Sequence, residues 1–176
     1  VMDKYGPKKN VAIMFDEWGT WFNVEPGTNP GWLYQQNTVR DAIVAASSLD
    51  IFHKYTDRIK MANIAQVVNV LQSMILTNEK NPMDPCVLTP TYHVFKMYNV
   101  HKEATYVPSD LVCNYISVNA KEQIPTVSRT VSCDKNGVMH ISLTNMDLNN
   151  QHVVAINIDG MKVKSAEGEI ITAPDV

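Results

Sequence analysis

Long apolar runs, a basic excess, paired cysteines and glycine-rich phosphate loops are all missing from this chain, and each absence removes a class of function. No apolar stretch approaches the roughly 20 residues that a membrane-crossing helix needs, so no helical span and no membrane partner are expected. Lysine and arginine number 15 against 18 aspartates and glutamates, a formal net charge of −3. That mildly acidic balance lacks the clustered basic face that binds nucleic acid, and no nucleic-acid partner is expected. The three cysteines, Cys86, Cys113 and Cys133, are far apart and odd in number. They support neither a disulfide framework nor a thiolate metal site, and are expected to be buried or incidental thiols. The five histidines show no H-x-x-x-H spacing and are expected to be structural or exposed. No G-x-S-x-G nucleophile elbow is present. Neither a metal nor a cofactor is expected.

What is present suits a globular chain with one sizeable core or two small ones: 176 residues, 45% hydrophobic and 19% charged. The first residues, Val1-Met2-Asp3-Lys4-Tyr5-Gly6-Pro7, carry no signal-peptide pattern. They read as the end of a helix whose start is expected upstream, followed by a Gly-Pro stop and a lysine-bearing loop. The apolar run Val11-Ala12-Ile13-Met14-Phe15 then predicts a strand buried on both faces, as in a parallel sheet covered by helices. A helix is predicted over residues 38–55, with Thr38 and Asp41 at capping-box spacing. Val39, Ala42, Ile43, Ala46, Leu49 and Phe52 form its buried face. A second strand over residues 59–64 and a helix over 65–76 complete a strand–helix–strand–helix order, the unit of a parallel sheet or barrel.

Prolines break residues 78–90, and a short amphipathic helix follows over 91–101, with Val94, Tyr98 and His101 on one face. Beyond Pro108 the period changes to two. Val127, Val131 and Cys133 alternate with Ser128, Thr130 and Ser132; Met139, Ile141 and Leu143 alternate with His140, Ser142 and Thr144; Val154, Ile156 and Ile158 form a third such run. Asn136-Gly137 between the first two signals a type I′ hairpin. This half is predicted to be an antiparallel sheet with one wet face, part of a β-sandwich.

The chemistry is concentrated where the first strand ends. Asp16 and Glu17 adjoin there, and on a regular strand only one of them can face a given pocket. A carboxylate at that end of an α/β strand is placed to act as nucleophile, base or metal ligand, although a solvated acidic pair in a strand-to-loop turn is the competing reading. Trp18, Trp21 and Trp32 lie close together in sequence, joined by Phe22 and Tyr34. Aromatic platforms beside a carboxylate suit a sugar, which mixes C–H faces with hydroxyls, as well as plain hydrophobic packing of a loop. Asn63, Gln66 and Asn69, at the end of the second strand, offer amides to sugar hydroxyls or caps to a helix.

The segment Phe15-Asp16-Glu17-Trp18-Gly19-Thr20-Trp21-Phe22 resembles the nucleophile motif of bacterial α-L-arabinofuranosidases of glycoside hydrolase family 51. Asp57-Arg58-Ile59-Lys60-Met61-Ala62-Asn63-Ile64-Ala65-Gln66-Val67-Val68-Asn69-Val70 is similar to that family's eighth barrel strand and the turn after it. Thr89-Pro90-Thr91-Tyr92-His93-Val94-Phe95-Lys96-Met97-Tyr98 is similar to its last barrel helix. The resemblance implies an α/β plus β fold: residues 1–106 as the last two β/α units of a (β/α)8 barrel, residues 107–176 as an antiparallel β-sandwich domain. It implies a retaining hydrolase acting on arabinose-containing oligosaccharides or polysaccharides, with a homo-oligomeric parent. Glu17 matches the nucleophile, Trp21 a wall of the sugar pocket and Gln66 a polar sugar contact; Asp16, Trp18 and Asn63 take supporting roles.

The acid/base glutamate of that family comes from an earlier barrel strand, and Glu25, Glu79, Glu103 and Glu122 do not match it. The chain is therefore expected to be a fragment, inactive alone, with localisation unassigned. Two alternatives stand beside this reading. One is a non-catalytic β-sandwich module for carbohydrate binding or domain packing, which is disfavoured because Tyr115 is the only aromatic residue after position 108. The other is a different retaining hydrolase of the same barrel clan.

Overall fold

The computed structural model describes residues 2–78 and 80–173; the expectations for Val1, Glu79 and residues 174–176 lie outside the described residues. A single turn, α1 (Met2–Tyr5), ends at Gly6. Its position is set by the buried Arg58 guanidinium, which donates to Val11 O at 3.0 Å and Gly6 O at 2.8 Å and pairs with Asp3.

β1 (Ile13–Trp18) starts two residues later than predicted and therefore includes both carboxylates. It pairs in parallel with β2 (Ile59–Ile64), and α2 (Val39–Lys54) forms the crossover between them. The predicted cap is in place: the Thr38 side chain accepts from Arg40 N–H, and Asp41 Oδ2 accepts from Thr38 N–H at 2.8 Å. The expectation of a strand covered on both faces fails, with Met14 58% and Phe15 38% exposed. Among the described residues, Phe15 leans on Phe52 of α2 and nothing comparable covers the opposite face.

The segment after β2 departs most from expectation. Residues 65–76 form an irregular loop ending in β3 (Ile75–Leu76), which pairs antiparallel with β4 (Val87–Leu88), not the predicted helix. Asn69 and Leu71 adopt positive φ (61° and 51°), and the Ala65–Gln66 peptide is cis. The backbone bonds of this stretch are those of turns and of docking: Asn69 N donates to Ile75 O and Met74 N to Val67 O within it, while Ala65 N donates to Trp18 O and Leu71 N to Leu33 O outside it. The expected strand–helix order gives way here to tertiary pairing. α3 (Pro90–Tyr98) follows, capped by Thr89 with Pro90 at its first position, and continues as a 3-10 turn through His101. Val94, Tyr98 and His101 are buried as predicted. Ala42, Ala45 and Ala46 meet Val94 and Tyr98 in the core, with Trp18, Leu49 and Met97 packed around them.

β5 (Thr105–Tyr106) precedes a separate antiparallel pair, β6 (Tyr115–Ser117) and β7 (Gln123–Pro125). β8 (Val127–Cys133) and β9 (Met139–Asn145) form the predicted hairpin and, with β5, a sheet in the order β5-β8-β9. The hairpin's turn is not type I′. Gly137 N donates to Asp134 O, and Gly137 (φ 80°) but not Asn136 has positive φ, whereas type I′ requires two such residues. The third run, Val154, Ile156 and Ile158, forms no strand; residues 146–173 contribute none. An alternating pattern becomes a strand only where an edge accepts its hydrogen bonds. The wet face is also corrected. Ser128, Thr130, Ser132 and Ser142 turn toward α2 and α3, where they bond to Asp50, His53 and His101. All three cysteines are free thiols, Cys86 exposed and the others half-buried.

Candidate active site

The end of β1 is irregular in a way that its composition did not announce. Phe15 pairs with Ala62 and Trp18 with Ile64, so β1 advances three residues while β2 advances two. This bulge-like shift at Asp16-Glu17 offsets an opposite one between Ile13 and Met14, and irregularities of this kind re-aim side chains beside functional sites. Strict alternation, the premise for assigning the two carboxylates to opposite faces, is interrupted here. Phe15 and Trp18 both reach Phe52, with ring centroids 5.2 and 5.3 Å apart, and Trp18 stacks on Phe95 at 6.0 Å. Trp18 is thereby fixed in the helical layer, and its buried Nε1 has no hydrogen-bond partner among the described residues. Asp16 and Glu17 are exposed, and neither carboxylate is hydrogen-bonded or ion-paired within the described residues.

The two strand ends meet closely. Ala65 N donates to Trp18 O at 2.9 Å, and a Cβ on Gly19 would stand 3.1 Å from Ala65 O. Gly19 has φ 148°, so a side chain would be strained as well as crowded. The structure therefore brings Glu17 and Trp21 to the same end of the parallel pair as Asn63 and Gln66, all four of them exposed. Asn69 is not available as a sugar contact in this arrangement. Its amide is used at both ends by Thr77, accepting from Thr77 N at 2.8 Å and donating to Thr77 Oγ1 at 2.7 Å. Trp32 stands exposed at the end of a 3-10 turn, Pro30–Trp32. Of the other glutamates, Glu103 sits in the turn before β5 and Glu122 in the β6–β7 turn, where it accepts from Asn119.

Beneath the loop lies a buried polar lattice that sequence reasoning missed. Gln35, Asp41, Gln72 and Thr91 are each no more than 1% exposed. The Thr20 hydroxyl lies 3.0 Å from Asp41 Oδ1 and 3.1 Å from Gln72 Oε1, which share its single proton. Gln72 Nε2 donates to Asp41 O at 2.7 Å and to Thr91 Oγ1 at 3.2 Å. The loop's outer turn is held from another side, where the Arg40 guanidinium lies 3.6 Å from the centre of the Phe22 ring. Only Asp41 carried a sequence signal, as a helix cap.

A second polar cluster joins the far end of α2 to the sheet. Asp50 accepts from Tyr98 Oη at 2.8 Å and from Ser128 Oγ at 2.5 Å. His53 bonds Thr130, while His101 lies between Ser132 (2.7 Å) and Ser142 (2.8 Å). Burial, with Asp50 facing it, holds the Tyr98 phenol above its usual range. Burial pushes the Asp50 carboxyl up to about 6 and the His101 imidazole down to about 4, the latter helped by His53 and His140; burial lowers His53 too. Both histidines tie the helical layer to the sheet, and the described residues contain no group of three or more His, Cys, Asp or Glu arranged to hold a metal.

Comparison with known proteins gives one consistent answer. A family model described as the α-L-arabinofuranosidase C-terminal domain matches residues 16–176. The chain is 59% identical over 173 residues to an intracellular exo-α-L-arabinofuranosidase of Bacteroides ovatus, covering 98% of this chain and 33% of that protein. It is 25% identical over 182 residues to an exo-α-(1→6)-L-arabinofuranosidase of Bifidobacterium longum, 96% of this chain and 34% of that protein. Among solved structures, the GH51 arabinofuranosidase of Xanthomonas axonopodis pv. citri superposes with a TM-score of 0.74 at 49% identity, over 83% of this chain and 29% of that one. The arabinose complex of the Thermotoga maritima α-L-arabinofuranosidase gives a TM-score of 0.62 at 22% identity, over 81% and 30%, a likeness of fold alone. The chain spans about a third of the length of the curated relatives it matches most fully.

Proposed function

The chain belongs to the α-L-arabinofuranosidase C-terminal domain family, and from that premise we propose that it forms part of a retaining enzyme releasing terminal α-L-arabinofuranosyl residues from arabinose-containing oligosaccharides or polysaccharides. The observation that carries this reading is the bulge at Asp16-Glu17, beside an exposed Trp21 and across from an exposed Gln66. In the reaction the Glu17 carboxylate attacks the anomeric carbon as the glycosidic bond breaks, and a second carboxylic acid protonates the departing oxygen. Water, deprotonated by that same group, then cleaves the arabinosyl ester and frees Glu17. Trp21 supplies an apolar wall, Gln66 hydrogen bonds to hydroxyls, and Asp16, Trp18 and Asn63 hold the surroundings. A retaining pair stands about 5–5.5 Å apart, and in this reading the acid comes from outside the 176 residues.

The same reading assigns residues 1–106 to the last two β/α units of a (β/α)8 barrel and 107–176 to a β-sandwich domain, in a homo-oligomeric parent. The parallel β1–α2–β2 unit supports the first, and the β8–β9 hairpin the second. Replacing Glu17→Ala in the full-length enzyme is expected to abolish hydrolysis of 4-nitrophenyl α-L-arabinofuranoside. Added azide should restore release of nitrophenol and yield the β-configured arabinosyl azide. Retained turnover by Glu17→Ala, or substantial turnover by the 176-residue chain alone, would overturn the assignment.

A further inference from the structure

The backbone on either side of Trp21 is gripped by glutamine side chains. Thr20 N–H donates to Gln72 Oε1 at 2.9 Å, and Phe22 N–H donates to Gln35 Oε1 at 2.9 Å. Each carboxamide is in turn fixed from behind: Gln72 Nε2 bonds Asp41 O and Thr91, while Gln35 Nε2 reaches Asp41 Oδ1 at 3.4 Å and Thr20 Oγ1 at 3.3 Å. The Gln72 donors face Asp41 O and Thr91, which turns its oxygen to the loop, while Gln35 meets the loop with both ends, its oxygen at Phe22 N–H and its amide at Thr20 Oγ1. Trp21 itself is 69% exposed. With so little packing of its own, the indole owes its position to the main chain that carries it. Gln72 also lies on the loop that bears Gln66, so one side chain ties the two proposed sugar-contacting segments together.

We propose that Gln72 and Gln35 are positioning residues, a two-glutamine clamp that holds Trp21 as the wall of the sugar site and thereby sets substrate affinity. The proposal rests on the reading of Glu17 and Trp21 given above. A sugar packs on an aromatic wall in the ground state and the transition state alike, so misplacing Trp21 removes binding common to both. The clamp therefore acts on KM more than on kcat.

The test is a double-mutant cycle in the full-length enzyme with 4-nitrophenyl α-L-arabinofuranoside. Gln72→Met keeps side-chain length and removes both hydrogen-bonding ends. It is expected to raise KM about tenfold with kcat within about threefold, a split that identifies lost binding. In a Trp21→Ala background the same substitution should change KM by less than about twofold, because the group it positions is gone. Equal effects in both backgrounds, or a fall in kcat with KM unchanged, would overturn the clamp. If Gln72→Met does not fold, Gln35→Met reads the other arm in the same cycle. Glu17→Ala run in parallel separates the failures: persisting turnover sinks the site assignment and the clamp with it, whereas lost turnover with an additive cycle sinks the clamp alone.

Discussion

The two ends of α2 are both built around a buried aspartate, yet they solve opposite problems. Asp41, in the first turn, sits at the positive end of the helix dipole and collects donors from Thr38 N–H, the Thr20 hydroxyl and Gln35, with Arg40 3.5 Å away. Asp50, close to the negative end, has two hydroxyls, from Tyr98 and Ser128, and its carboxyl is pushed up to about 6 by burial. The first end fixes a loop that carries the candidate site. The second fixes a sheet, through hydroxyl and imidazole groups that include titrating ones. Burial alone does not define a polar contact; the number of donors and the direction of the local dipole decide whether its charge is supported.

The sharpest way to break the comparison is to remove each aspartate. Asp41→Ala takes away a helix cap worth about 1 kcal/mol. It also removes one of the two acceptors available to the Thr20 hydroxyl and one of the two available to Gln35 Nε2, at about 1 kcal/mol for each hydrogen bond lost. A loss of roughly 3 kcal/mol corresponds to about 6–12 °C in Tm for a chain of this size, measurable by thermal unfolding. Asp50→Asn at neutral pH should cost far less, within about 1 kcal/mol, because it relieves a buried charge while keeping an acceptor. Equal losses would erase the distinction between the two ends.

The pH response sharpens it further. His101 and His53 have folded pKa values below the ordinary histidine value, so the unfolded chain binds more protons and stability falls as pH drops from about 6.5 toward about 4. Asp50 has a raised folded pKa, so its contribution runs the other way, and stability is recovered as pH falls from about 6 toward about 4. The wild-type Tm should therefore decline only gently across this window. Asp50→Asn should steepen the decline, and His101→Gln should flatten it. A wild-type profile left unchanged by both substitutions would refute this account. A last substitution serves as a control that touches neither end. Gly137→Ala places a side chain at φ 80° with no atom within 4 Å of the new Cβ. It should cost about 1 kcal/mol from backbone strain and leave arabinofuranoside kinetics unaltered.

What could be read from the sequence was whatever local chemistry decides. The Thr38–Asp41 box, the parallel strands around α2, the short helix after the proline-broken loop and the β8–β9 hairpin all rest on short-range signals, and all are present, that helix beginning at Pro90, one residue before the predicted Thr91. Residues 65–76 failed because a strand–helix–strand–helix order says nothing about Trp18 O or Leu33 O, the partners that Ala65 N and Leu71 N find instead. The wet face failed for a related reason. Serines and threonines on alternate positions predict solvent unless the opposing helix offers imidazole and carboxylate, and α2 offers both. Of the candidate site, Glu17, Trp21, Asn63 and Gln66 stand at one end of the parallel pair, as their strand-end positions implied. The bulge between Phe15 and Trp18 was invisible, since it depends on register. Gln35 and Gln72 were invisible too, because a glutamine has no pattern that marks it as buried.

The double duty of Asp41 also has a consequence for local breathing. One carboxylate oxygen closes the first turn of α2 and the other receives the Thr20 hydroxyl. Fraying of that turn therefore frees the Thr20 hydroxyl from one of its two acceptors, while the Thr20 and Phe22 amides stay on Gln72 and Gln35. Those two amides should exchange with deuterium more slowly than the amides at the start of α2, so that the helix end can open without moving the candidate site.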